Sequence, residues 1–193
     1  MTTKLIIAIK NHIIRITITG PESTGKSTLS QQLAQHYQTI YVPEYARIYI
    51  DRLQRPYTLA DIEQIAKGQM QLEDTSALLA KRLLFCDTDL TVTQIWAKHV
   101  FGTSCPYIEQ QLQQRKPYNL YLLMDIDLPW QPDPQREHPH LRQYLFDWYQ
   151  QELITRKVNY VVISGNQNQR LQNAINAIEG FLCKTTTTVS STQ

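Results

Sequence analysis

Cysteine is scarce in this chain of 193 residues: Cys86, Cys105 and Cys183 lie far apart and form no CxxC pair. An odd, unpatterned count argues against a disulfide framework or a zinc site, and for a reducing compartment. Long apolar runs are missing too. No stretch approaches the roughly 20 apolar residues of a membrane span. The short run Leu5-Ile6-Ile7-Ala8-Ile9 is broken by Lys10 and Asn11, with no small-residue cleavage pattern after it. It reads as a strand or frayed extension rather than a secretory signal. Like charges never cluster in blocks of five or six, and the formal net charge is only +2, so neither a nucleic-acid tail nor a polybasic membrane anchor is indicated. These absences together predict a soluble, cytoplasmic chain that binds no nucleic acid and no membrane. They leave a homo-oligomer open.

What remains is ordinary globular composition, 42% hydrophobic and 19% charged, at a length that suits one α/β domain. Apolar, β-branched runs at 12–19, 39–42, 83–86, 120–124 and 158–163 alternate with helical patterns at about 26–37, 44–53, 59–81, 89–101, 104–115, 141–156 and 167–182. Thr58 with Asp61 three residues on reads as a relative of the capping box at the start of the third helix. Strands written as continuous apolar runs between helices predict a five-stranded parallel sheet covered on both faces, a three-layer α/β/α domain. One domain is expected over 1–184, with the Thr/Ser-rich tail 185–193 without fixed structure.

Glycine is also rare, 6 in all, yet 2 of the 6 stand in Gly20-Pro21-Glu22-Ser23-Thr24-Gly25-Lys26-Ser27. This is a full GxxxxGK[ST] match between a β-branched run and an amphipathic helix. The fixed positions match by chance in roughly one chain per hundred of this size, so the strand–turn–helix context carries the reading. Glycines let successive N–H groups turn inward on an anion, and the helix N-terminus adds its dipole. Lys26 reaches the β- and γ-phosphates, and the Ser27 hydroxyl ligates magnesium. Thr28 joins the nucleotide-binding set. ATP and Mg²⁺ are the expected cofactors of this P-loop NTPase core.

Carboxylates at strand C-termini face the same edge as the phosphate loop. Asp87 ends the third strand and is the favoured second magnesium ligand, acting through water. Asp125 after the fourth strand is its rival. The continuation Asp87-Thr88-Asp89 tips the choice, although Thr88 or Asp89 also suits the N-cap of the next helix. Glu44, in Val42-Pro43-Glu44-Tyr45-Ala46-Arg47, follows the second strand and can take a proton from a substrate hydroxyl or bond a sugar. Arg47, three residues on, can equally form an ion pair with it. The segment 127–140 carries four prolines and no apolar period. It reads as a lid loop, with Arg136 and Arg142 supplying positive charge over ATP. His138 and His140 lack a third ligand and do not suggest a metal site.

Four segments in order resemble the ribosylnicotinamide kinase domain of NadR-type proteins: the phosphate loop; Val42-Pro43-Glu44-Tyr45-Ala46-Arg47; Phe85-Cys86-Asp87-Thr88-Asp89-Leu90-Thr91-Val92-Thr93-Gln94; and Pro129-Trp130-Gln131-Pro132-Asp133-Pro134-Gln135-Arg136. The resemblance implies a nucleoside/nucleotide kinase-like core that moves the ATP γ-phosphoryl group to the 5′-hydroxyl of nicotinamide riboside, a small nucleoside-type substrate. It implies Glu44, Tyr45 and Arg47 in the nucleoside pocket. It also implies Asp87 and Asp89 serving magnesium, ribose or the attacking hydroxyl, and Trp130, Asp133 and Arg136 in the lid. Tyr45 or Trp96 could stack on the cationic ring, though core packing on its helix is the favoured reading of Trp96. The chain departs from full-length NadR in lacking a His-x-Gly-His motif, so adenylylation of the mononucleotide is not expected.

The residues then suggest in-line transfer, with Lys26 and Arg136 offsetting transition-state charge and Asp87 or Glu44 orienting the hydroxyl. Two other readings stand: a kinase for another nucleoside or small cofactor, and a nucleotide-dependent switch. Against the switch, neither Asn-Lys-x-Asp nor Leu-Ser-Gly-Gly-Gln occurs in the chain.

Overall fold

A computed structural model describes residues 13–133 and 139–190 of the chain. The apolar run at 5–9 and the lid residues Arg136 and His138 lie outside the described residues. The elements run β1 (Ile14–Thr19), α1 (Lys26–His36), β2 (Tyr41–Val42), α2 (Tyr45–Ile50), α3 (Leu59–Ala77), β3 (Leu83–Asp87), α4 (Leu90–Phe101), α5 (Pro106–Gln114), β4 (Leu120–Met124), α6 (Arg142–Thr155), β5 (Tyr160–Ile163) and α7 (Gln167–Ser190). A short 3₁₀ turn, Pro139–Leu141, leads into α6.

All five strands pair in parallel in the order β2-β3-β1-β4-β5. Every residue of β3 and β4 is buried, which is why those strands read as unbroken apolar runs. The pleat of β1 divides the layers. Ile16 and Ile18 pack with Leu29 and Leu33 of α1 and with Ala174 and Ile178 of α7. On the other face, Tyr121 and Leu123 of β4 meet Ile95 of α4 and Leu145, Tyr149 and Leu153 of α6. A satellite core joins α3, α4 and α5 through Ile62, Ala66, Ala97 and Ile108.

Several boundaries differ from the sequence pattern for local reasons. Residue 39 was expected in β2, but the Thr39 N–H closes α1 on the Ala34 carbonyl (2.9 Å) and so leaves the ladder. Val158 was expected in β5, but its N–H returns to the Leu153 carbonyl after Lys157 turns at φ 53°. The tail from 185 is corrected in part: α7 runs on to Ser190. An existing helix gains one hydrogen bond per residue added, and Thr and Ser oppose this only weakly. The expected Thr58–Asp61 capping box is present, the Thr58 N–H donating to Asp61 Oδ2 at 2.8 Å.

The chain moves to one side of β1 after that strand and to the other side after β3. The C-terminal ends of β1 and β3 therefore flank a crevice, the usual seat of ligands in open parallel sheets. Ile16 is fully buried at the centre of this core. Ile16→Ala is expected to lower the unfolding free energy by about 2–5 kcal/mol, read from urea denaturation.

Candidate active site

The loop after β1 turns as a phosphate cradle must. Gly20 sits at φ 126°, where a side chain is strained, and a Cβ there would stand 3.1 Å from the Met124 carbonyl oxygen. Ser23 takes a left-handed φ of 58°, and Gly25 caps α1 at φ 82°. The Thr24 hydroxyl ties the turn by donating to the Pro21 carbonyl (2.8 Å). Lys26 Nζ donates to the carbonyls of Gly20 (3.0 Å) and Pro21 (2.8 Å). The ammonium is thus held by neutral acceptors, which a charged phosphate oxygen outcompetes.

This loop forms one wall of a cleft of about 360 Å³. Gly20, Glu22, Ser23, Thr24, Gly25, Lys26, Ser27 and Thr28 all line it. Pro21 does not; it contributes its carbonyl from behind.

Asp87 stands beside the cradle because β3 pairs with β1 in a register that sets Ile18 opposite Asp87. Its side chain is buried, the Ser27 hydroxyl hydrogen-bonds to it, and Oδ1 has no partner. Burial pushes its pKa up to about 6, helped by the Glu44 charge and opposed by Ser27, Lys26 and Arg47. The rival Asp125 accepts from the Ile126 N–H through its carboxylate (2.7 Å); neither aspartate is itself among the residues that line the cleft, and Asp87 lies just beneath it against Ser27.

Glu44 and Arg47 line the opposite wall. Arg47 Nε is 3.5 Å from Glu44 Oε2, and Nη1 is 3.1 Å from Asp133 Oδ2. The ion pair with Glu44 is therefore real and sits within the cleft. Asp133 reaches it from the proline-rich segment, so the two family-like segments meet in space. That segment is also fastened to the phosphate loop: the Gln131 N–H donates to Ser23 Oγ (2.8 Å).

Four expected site residues are placed differently. Tyr45 faces away from the cleft, its ring lying on Gly68 of α3, because its neighbours on α2 already fill the cleft-facing side. Asp89 is fully buried as the N-cap of α4, accepting from Val92 N–H (3.2 Å), the Thr91 hydroxyl (2.8 Å) and the Thr19 hydroxyl (3.3 Å). Its carboxylate is spent on one backbone amide and two hydroxyls rather than on the cleft. Trp130 is half-buried and off the wall, while its neighbours Pro129 and Gln131 line it. Arg142 does not line the cleft; it donates to the carbonyls of Leu128 (2.9 Å) and Ser23 (3.3 Å) and clamps the two loops together. Arg136 lies outside the described residues.

Nothing in the residue pattern pointed to Arg170, in the first turns of α7. It is 3% exposed and lines the cleft. Its guanidinium donates to the carbonyls of Thr24 (3.1 Å), Gly165 (3.2 Å) and Ile163 (3.3 Å), and pairs with Asp127. It joins the phosphate loop to the ends of β4 and β5, a role invisible in a lone arginine on an amphipathic helix. The apolar wall of Val92, Ile95, Trp96, Leu145 and Tyr149 was likewise unforeseen, except for Trp96, which both lines the cleft and packs edge-on against Tyr57. Arg170→Ala is expected to destabilise the fold by about 2–3 kcal/mol, since buried acceptors and Asp127 lose a charged donor; chemical denaturation measures it.

Comparison with known proteins agrees with this geometry. A family model described as an AAA domain matches residues 15–170. The trifunctional NAD biosynthesis/regulator protein NadR of Escherichia coli (strain K12) is 32% identical over 124 residues, covering 61% of this chain and 30% of that protein. NadR of Salmonella typhimurium matches to the same extent. The chain thus corresponds to under a third of these relatives' length. Two NadR crystal structures, one with NR and one with NAD and AMP-PNP, superpose with TM-scores of 0.76 and 0.74 at 19% and 20% identity, over 91% of this chain and about half of theirs. Thymidylate kinase from Ehrlichia chaffeensis follows at TM-score 0.62 and 16% identity, over 87% of this chain and 98% of its own. These likenesses establish a P-loop kinase fold. By the match over residues 15–170, the chain belongs to the AAA domain family AAA_28.

Proposed function

We propose that this protein is an ATP-dependent kinase that phosphorylates the 5′-hydroxyl of nicotinamide riboside to give nicotinamide mononucleotide. One observation carries the reading: an anion cradle and a carboxylate-bearing helix face each other across a single cleft of about 360 Å³. That suits a triphosphate on one wall and a small hydroxylated acceptor on the other. The relatives' part in NAD biosynthesis, and the NadR crystal with NR, favour this acceptor over other nucleosides.

The loop amides and Lys26 bind the β- and γ-phosphates, and the α1 dipole adds to the hold. Glu44 receives the hydrogen bond of the acceptor hydroxyl and orients its oxygen in line with the γ-phosphorus. A new O–P bond forms as the bond to the β–γ bridging oxygen breaks, and the hydroxyl proton passes to a carboxylate. A loose transition state demands more positioning than basicity. The apolar wall with Trp96 and Tyr149 offers aromatic faces to a cationic pyridinium ring and excludes water. Arg47, held by Glu44 and Asp133, links the acceptor wall to the segment that covers the cleft.

Magnesium fits the residues present. Among the described residues no cluster of three His, Cys, Asp or Glu side chains exists. Mg²⁺ uses one or two protein oxygens and takes the rest from phosphate and water. Ser27 and the unpartnered Oδ1 of Asp87 supply those oxygens. When bound, the ion would neutralise charge developing between the β- and γ-phosphates.

Incubation with labelled ATP and a panel of nicotinamide riboside, uridine and deoxynucleosides is expected to label nicotinamide riboside preferentially. Preferential labelling of another nucleoside would refute the acceptor assignment. Lys26→Ala and Asp87→Asn are expected to lower kcat by about a hundredfold or more; near-normal turnover in either sinks the mechanism.

The raised Asp87 pKa gives a pH signature. The carboxyl titrates at about 6 in the folded protein against 3.8 ordinarily. At lower pH it stays protonated and burial carries no charge penalty; as pH rises through about 6 it ionises, and its small stabilising contribution is lost. Function runs the opposite way, because the ionised form holds the cation. The kcat/KM for MgATP is expected to fall about tenfold per pH unit below about 6. A flat profile from pH 7 to 5 would exclude Asp87 from this role.

A further inference from the structure

The acceptor wall is built on α2, which is only six residues long. A helix that short does not hold by itself in water, so its placement comes from what it rests on. Glu44, Ala46, Arg47 and Ile50 turn to the cleft. Tyr45 turns the other way, onto two adjacent residues of α3.

Gly68 leaves room for the Tyr45 ring. A Cβ at that position would stand 2.1 Å from Tyr45 Cε1 and 2.5 Å from Cδ1, so no side chain fits there while the ring is in place. Gln69, 1% exposed, accepts the Tyr45 N–H through Oε1 at 2.8 Å. That amide is among those a helix start leaves without an internal partner. An N–H can only donate, so the amide orientation of Gln69 is fixed. Its Nε2 is left buried with no partner, a sacrifice of about 1–3 kcal/mol that a purely stabilising residue has no reason to make.

An N-cap side chain ordinarily takes the second or third amide of its helix, so the first, that of Tyr45, falls to Gln69. Here the N-cap is Glu44, and its side chain makes no capping hydrogen bond. Its carboxylate lies in the cleft instead, 3.5 Å from Arg47 Nε. We propose that Gln69, seated beside Gly68, is a positioning residue for the acceptor: it takes the first amide of α2 from the neighbouring helix and, with the Tyr45 ring on Gly68, holds Glu44 and Arg47 toward the cleft. This rests on the reading above that the acceptor binds against α2.

Gln69→Met keeps the length and removes the acceptor, whereas Gln69→Glu restores one. In Gln69→Met, hydrogen exchange at the Tyr45 amide is expected to accelerate about tenfold or more. The KM for nicotinamide riboside is expected to rise about tenfold with that for MgATP within about twofold; Gln69→Glu recovers both. Gly68→Ala is expected to give the same KM split by lifting the Tyr45 ring, and Gly68→Ala with Tyr45→Ala to relieve it. Unchanged Tyr45 exchange in Gln69→Met overturns the proposal whatever the acceptor, and so does a parallel rise of both KM values, which would mark general loosening. A wild-type chain that phosphorylates no nucleoside refutes the function proposed above and the acceptor role of Gln69 with it. A wild type active on nicotinamide riboside with no KM split in the variants refutes Gln69 alone.

Discussion

The hydrogen bond from the Thr88 N–H to the Ile18 carbonyl, 3.0 Å long, fixes Asp87 beside the phosphate loop. It is the last rung between β1 and β3, one residue beyond the pair Ile18–Asp87. It brings a carboxylate beside the loop that begins at Gly20, two residues after Ile18. Beyond it Thr88 turns left-handed at φ 82°, an uncommon conformation for a β-branched residue. That turn sends Asp89 back to cap α4 while Asp87 stays with Ser27. Two acids two residues apart thereby receive unrelated duties.

Buried charge is handled in three ways around this junction. Asp89 is satisfied by a backbone amide and two hydroxyls and is structural. Arg170 is satisfied by carbonyls from three segments and by Asp127, and ties the sheet's edge to the phosphate loop. Asp87 alone of the three keeps an oxygen without a partner. Fully bonded buried groups rigidify a structure, whereas an unsatisfied one needs a further explanation. The cation proposed to arrive with the nucleotide would supply that explanation.

The acceptor wall depends on a chain of contacts that crosses the cleft mouth. Arg47 on α2 meets Asp133; Gln131 in the same segment meets Ser23; and Arg142 grips Leu128 and Ser23 together. The phosphate loop and the acceptor helix are therefore joined over the top by the proline-rich segment as well as underneath by the sheet. Such an arrangement suits the phosphoryl transfer proposed above, whose chief requirement is that two substrates be held in one geometry.

Local chemistry was legible in the residues alone. A glycine-bounded turn with Lys26 and Ser27 between a strand and a helix can do little but hold an anion, and continuous apolar strands between helices can only be a parallel sheet covered on both faces. That Asp87 and Asp125 would end strands on the same edge as the phosphate loop was also readable in outline. Tertiary structure alone decided which way side chains turn and what they meet. It set Tyr45 against Gly68, sent Asp89 to a helix cap, made Arg142 a clamp and buried Arg170 among carbonyls. The reason is physical: a motif fixes the backbone shape of a few consecutive residues, but whether a polar group is spent or available depends on partners tens of residues away, and only packing brings those together.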